Sequence, residues 1–136
     1  MQKSAIALFG EAEKGQHNTF YRCKTLDELF YFFGEPPKES EGLYHAVQAI
    51  LYDRLLLYFR VHEEGISLDD YELGLDLLQK ELQSLPPLGA LFLPRIGEKE
   101  IVEEGLQLCQ TNGSLLLFQA SDFYDYMTTG VTPLNS

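Results

Sequence analysis

Three of the strand-end loops in this chain carry side chains that can move protons or hold charge. His62-Glu63-Glu64 follows the strongest strand candidate, RLLLYFRV. An imidazole next to carboxylates can act as an acid–base pair or hold a cation. There is no HExxH, and His17 and His45 stand at no ligand spacing from His62. A metal is not expected, because partners would have to come from other loops. The second loop, Gly10-Glu11-Ala-Glu-Lys-Gly15-Gln16-His17, has its glycines five apart. A phosphate-binding loop needs Lys and Ser/Thr after its second glycine, and here Gln16 and His17 follow. Two glutamates would also repel phosphate. No GxGxxG occurs, so a dinucleotide fingerprint is absent and no cofactor is expected.

The third loop is Arg95-Ile-Gly97-Glu98-Lys-Glu100-Ile101, at the expected start of a helix. Free N–H groups there favour an anion, with Arg95 assisting, while Glu98 and Glu100 oppose one. Gly97-x-x-Glu100-Ile101 resembles, over five residues, the glycine–glutamate segment of nucleoside deoxyribosyltransferase-like folds. In that family a glutamate attacks a sugar, so the resemblance implies a nucleoside- or nucleotide-related ligand. A fourth loop holds Ser121-Asp122, which reads as a helix cap. A nucleophilic serine would want a Gly-x-Ser-x-Gly turn, and none is present.

The elements that must position these residues alternate along the chain. Ser4–Phe9 is a short apolar run ending at Gly10, as a buried strand would be. Thr19–Cys23 is a weaker strand. Only about nine residues separate the two, too few for a helical crossover, so the second is expected as an antiparallel neighbour of the first. Thr25-x-x-Glu28 matches a capping box and opens a helix carrying Leu26, Leu29, Phe30 and Phe33. Pro36-Pro37 forbids its continuation. A second helix is expected from Glu41 to Tyr52, then the strand Arg54–Val61. Ser67 caps a helix with the stripe Leu68, Tyr71, Leu75, Leu78 and Leu82, closed by Pro86-Pro87. Leu88–Leu93 is a strand, Gly97 opens a helix that ends at Asn112-Gly113, and Ser114–Phe118 is a fifth strand. A last helix runs from Ser121-Asp122 to Met127. This order predicts parallel βαβ units and an α/β domain. The expected architecture is a Rossmann-like or flavodoxin-like layered sheet of about five strands, mostly parallel, with one antiparallel. It should occupy residues 1–130, with 131–136 a frayed tail. In such sheets ligands bind at the carboxyl ends of the strands. Gly10, Glu11, His62, Glu63, Arg95, Gly97, Glu98 and Ser121 are therefore the expected crevice residues.

The aromatics give a different signal. Phe30-Tyr31-Phe32-Phe33 runs around a helix, and Phe123, Tyr124 and Tyr126 crowd the last one. Neither set fits on one helical face. Tyr31, Phe32, Tyr124 and Tyr126 are thus expected at a surface shared with a protein partner or a second copy.

Bulk composition bounds the choice. The 136 residues hold 10 Lys/Arg and 21 Asp/Glu, for a formal net charge of -11. Residues 1–62 carry a net of -1 and residues 63–136 a net of -10. That sign disfavours nucleic acid and anionic membrane surfaces. Nothing approaches the ~18 apolar residues of a membrane helix. Ala5–Phe9 is too short for a signal-peptide core, and Glu11 and Glu13 follow it. Two cysteines, Cys23 and Cys109, form no CxxC and suit a reduced, cytoplasmic protein. The expected function is protein association, homo- or heteromeric. The alternative is a small-molecule binding domain or enzyme in which His62, Glu63, Arg95 and Glu98 converge on one crevice.

Overall fold

A computed structural model describes residues 4–84 and 87–129. The expected tail and Pro86, the expected terminator, lie outside the described residues. Among the described residues five strands and five α-helices follow one another as β1 (Ala5–Gly10), β2 (Phe20–Cys23), α1 (Leu26–Phe33), α2 (Gly42–Leu51), β3 (Leu56–Arg60), α3 (Leu68–Glu81), β4 (Leu88–Phe92), α4 (Lys99–Asn112), β5 (Leu115–Leu117) and α5 (Ala120–Thr129), with a 3-10 turn, Leu82–Ser84, after α3. The sheet order is β2-β3-β1-β4-β5. β1 pairs in parallel with β3 and β4, and β4 with β5. The parallel part, β3-β1-β4-β5, follows the order of flavodoxin-like doubly wound sheets.

β1 is buried along its whole length, as its continuous apolar run requires of a strand covered on both faces. Alternate side chains feed two cores. Ile6, Leu8, Leu56, Tyr58 and Phe92 meet Leu29, Phe33, Leu43, Ala46 and Phe123 of α1, α2 and α5. Ala7, Phe9, Leu57, Phe59 and Leu91 meet Tyr71, Leu75, Leu78, Ile101 and Leu108 of α3 and α4. Each large apolar side chain fully removed from water contributes about 1.5–3 kcal/mol, so both layers are held by the same force.

Local signals explain most element ends. Thr25 accepts from the Glu28 N–H while the Glu28 carboxylate accepts from the Thr25 N–H, completing the capping box. Gly113 ends α4 in the left-handed conformation, at φ 67°.

Four expectations need correction. β2 is antiparallel, but its partner is β3 and not β1. Both edges of β1 are already taken by parallel neighbours, so the loop from Glu11 crosses the end of β3 and lays β2 on the outer edge. An Arg60 Nη1–H bond to the Gly15 carbonyl pins that crossing. Ser67 sits at the start of α3 without capping it, since its hydroxyl accepts from the Glu63 N–H. α4 starts at Lys99, two residues after Gly97. α5 starts at Ala120, with the Phe123 N–H bonded to the Gln119 carbonyl, so Ser121 lies inside the first turn and is not its cap.

Candidate functional site

The carboxyl ends of β1 and β4 send the chain to opposite faces of the sheet, and this is where a doubly wound fold places its crevice. Here the chain itself fills the space. β1 ends on Gly10 and α2 starts on Gly42, and the two backbones touch. A Cβ on Gly10 would come within 2.4 Å of the Tyr58 hydroxyl and 2.6 Å of the Gly42 Cα. Only glycine permits that approach at either position.

Glu64, 4% exposed, occupies the amino end of α2. Its carboxylate accepts from the Glu41 N–H at 2.8 Å and from the Gly42 N–H. A helix amino terminus offers unpaired donors and a positive partial charge. In nucleotide-binding doubly wound folds a phosphate takes such donors; here an internal carboxylate does. The Glu64 N–H in turn donates to Glu11 Oε2 at 3.0 Å, and the Tyr58 hydroxyl donates to the Glu11 carbonyl at 2.8 Å. Burial pushes Glu64 up from the ordinary carboxylate value, against its three backbone contacts at Glu41, Gly42 and Glu11. Burial, with Glu64 close by, also pushes the Tyr58 phenol well up.

The β4–α4 loop closes over this knot. Arg95 Nε donates to Glu41 Oε2 at 2.8 Å, and that bond holds Glu41 below the usual carboxylate range. Arg95 adopts φ 66°, uncommon for a bulky residue, with its backbone against Gly65 at φ 77°. The knot thus ties the loops after β1, β3 and β4 together, and the Glu41 and Gly42 amides are already spent.

Beside it stands a second constellation. His62 Nδ1 lies 2.7 Å from Asp70 Oδ2, which also accepts the His62 backbone N–H at 2.8 Å. Both contacts fall on one oxygen of Asp70, on the first turn of α3, so His62 grips it with its backbone and its ring together. The His17 ring stacks flat on His62, with centroids 3.8 Å apart and planes 2° from parallel. His17 Nδ1 is buried without a partner. Burial, then the Arg60 guanidinium and His62, hold His17 below the usual imidazole value. A carboxylate-oriented imidazole can accept and return a proton.

The expected crevice residues divide. Gly10, Glu11 and Arg95 come together around Glu64 and Glu41. His62 goes instead to Asp70 and His17. Glu63, Gly97, Glu98 and Ser121 face solvent. Among the described residues no hydrogen bond or ion pair joins any two of His62, Glu63, Arg95 and Glu98. The sequence reading missed Glu64. In His62-Glu63-Glu64 strand parity ends at the loop, and no signal marks which acid turns inward. Among the described residues no group of three His, Cys, Asp or Glu is placed to hold a metal.

The aromatic residues also divide. Tyr31 is 76% exposed, with Lys14 over its ring, and Phe32 is half-buried against Tyr21. Tyr124 is half-buried beside Tyr44. Tyr126 departs from expectation. It is buried under the layer, its ring close over Gly89 and stacked by the Arg54 guanidinium, and it offers no surface. Tyr44 and Leu51, outside the expected set, are 55% and 61% exposed. They lie seven residues apart on α2, hence on one stripe with Gln48 between them.

No protein-family model matches the chain, and no curated protein matches it.

Proposed function

We propose that this domain acts by protein association, and that its contact surface is the outer face of α2 with a second copy of the chain as the partner. One observation carries the reading. α2, GLYHAVQAIL, has no Asp, Glu, Lys or Arg, yet Tyr44 and Leu51 on its outer stripe stand in water. Solvated helices ordinarily turn charge outward, and exposed apolar stripes of this kind mark contact surfaces. α2 lies over β1 and β3, between α1 over β2 and α5, which packs Phe123 on Phe92. It is the middle helix of its layer, so a partner can rest on it squarely. Exposed Phe30 and Tyr31 on α1 and half-buried Tyr124 on α5 extend the surface to each side.

Charge placement favours a second copy. A chain of net charge -11 resists meeting itself wherever its acids face each other. Contact through α2 on a two-fold axis joins the uncharged helices and leaves α3 and α4 of both copies pointing away. The acidic balance argues against nucleic acid or an anionic membrane as partner. The strand-end crevice supports the small-ligand reading less well, because Glu64 already takes the donors an anion would need. Burial pushes both thiols, Cys23 and Cys109, up to about 12, so they stay unreactive and suit a reducing, cytoplasmic setting.

Cysteine trapping tests the reading. Near a two-fold axis on α2, Gln48 meets its own counterpart, and two cysteines there can bond only if their Cα atoms come within about 7 Å. Oxidised Gln48→Cys should run as a covalent dimer, while Gln107→Cys on the outer side of α4 should remain single. Equal trapping at both positions, or none at 48, contradicts the reading.

A further inference from the structure

We propose that the stacked His17 and His62 rings form an acid-sensitive clamp that holds the β1–β2 loop, residues 11–19, onto the β3–α3 loop. The inference is independent of self-association through α2.

Beyond Glu11, held by the Tyr58 hydroxyl and the Glu64 N–H, and Ala12, buried in the core, the loop has few other fastenings. The Gln16 N–H donates to the Tyr21 hydroxyl at 2.8 Å, the Lys14 N–H to the Phe33 carbonyl at 3.3 Å, and Arg60 reaches the Gly15 carbonyl. Neutral imidazoles stack face to face readily. Two protonated rings at 3.8 Å do not, since like charges at that distance repel. The groups around the pair make the repulsion one-sided. On α3, Asp70 meets His62 at 2.7 Å and compensates a charge on that ring. On β3, the Arg60 guanidinium faces His17 and opposes a charge there; the Arg60 carbonyl and Asp70 favour one more weakly. His17 Nδ1 is buried with no acceptor, so a proton on it has nowhere to bond while the stack persists. A proton on His17 is accommodated by moving the ring out into water. The loop goes with it, and the Glu11 end of that loop is fastened to the Glu64 knot. Acid therefore loosens the loop beside the strand-end crevice before it reaches the buried strands.

Amide hydrogen exchange, corrected for intrinsic rates, tests this on the full chain between pH 7.5 and 5. The Lys14 and Gln16 amides should lose about tenfold in protection for each pH unit of coupled titration, while amides of β1 and β3 keep theirs. His17→Phe keeps a flat ring without a proton site and should hold Lys14 and Gln16 at constant protection. His62→Phe should do the same, because the repulsion needs both imidazoles. Circular dichroism at pH 7.5 establishes that each variant is folded. Constant protection in the native chain, or the same loss in both Phe variants, overturns the clamp.

Discussion

The two helical layers cover the same sheet with equally apolar inner faces and very different outer ones. α3 and α4 turn Asp69, Glu72, Asp76, Glu100, Glu103 and Glu104 outward, relieved by Lys80 and Lys99. Between these helices runs a groove of about 270 Å³ with Leu75 and Leu108 at its floor and Glu72, Asp76 and Glu104 on its walls. Partial burial, then Glu72, Asp76 and Glu100, push Glu104 up. The opposite layer has α2 at its centre with no charge at all. Inside, Phe123 and Leu78 are both fully buried. Folding requires only the inner faces, so the outer difference is free to follow what each layer meets, and it is the ground of the proposal that α2 meets a second copy while α3 and α4 meet solvent.

The largest expected effects probe the inner equality. Phe123→Ala under α5 should cost about 3–5 kcal/mol and Leu78→Ala under α3 about 2–5 kcal/mol in urea unfolding. A loss below about 1 kcal/mol at either site would mean that layer is not part of one cooperative core.

Next come substitutions that break the outer difference. Tyr44→Glu with Leu51→Glu places charge at the proposed contact. If these are central contact residues, losing about 2 kcal/mol or more at each weakens association by well over tenfold, read from sedimentation equilibrium. Leu73 and Leu106 are exposed to 39% and 45% on α3 and α4. Leu73→Glu with Leu106→Glu should leave the mass unchanged, and an equal effect from both pairs would erase the distinction between layers.

Acid should then weaken one side more than the other. Burial holds His45, packed among Phe92, Phe123 and Tyr124, below 6.5, as it does His17. Each favours the neutral ring when folded. The stability each contributes is present above pH 6.5 and is lost as pH falls through and below it. Glu104 and Glu64 run the other way. Raised above 4.5, they contribute at low pH and lose that contribution as pH rises through their folded values. The histidine contribution to the unfolding midpoint should thus fall between pH 7 and 5, and His45→Gln should flatten part of that slope. An unchanged slope in His45→Gln would remove His45 from the account.

The smallest effect concerns the groove. Glu104→Gln relieves like-charge crowding at a mostly solvated site, so it should stabilise by a few tenths of a kcal/mol at low salt and by nothing measurable at high salt. A gain that survives 1 M salt would point to packing instead.

The layers were legible in the sequence to different depths. Apolar runs and periodicity located the five strands and five α-helices of the described residues, because Leu29 and Phe33, or Leu75 and Leu78, can face inward only on a helix, but not the 3-10 turn Leu82–Ser84 that follows α3. The partner of β2 was not legible, since strand pairing depends on which edge is free and β1 has none. Nor was the knot around Glu64. Its contacts join Glu11, Glu41 and Glu64 across 23 and 53 residues of chain, and no local pattern encodes them. His62 was singled out by position alone. Its partners Asp70, eight residues on, and His17, in another loop, became visible only in three dimensions. Tyr126 misled because helical crowding shows that some ring must turn outward without showing which one. The ring that turned outward most is Tyr31, and α2 supplied Tyr44 unannounced.

The most direct test of the contact surface is light scattering on the native chain over a dilution series, beside Tyr44→Glu with Leu51→Glu. Self-association through α2 predicts about twice 15.5 kDa for the native chain, falling on dilution, and 15.5 kDa throughout for the variant. A native chain at 15.5 kDa at every concentration, or a variant that keeps the doubled mass, contradicts it.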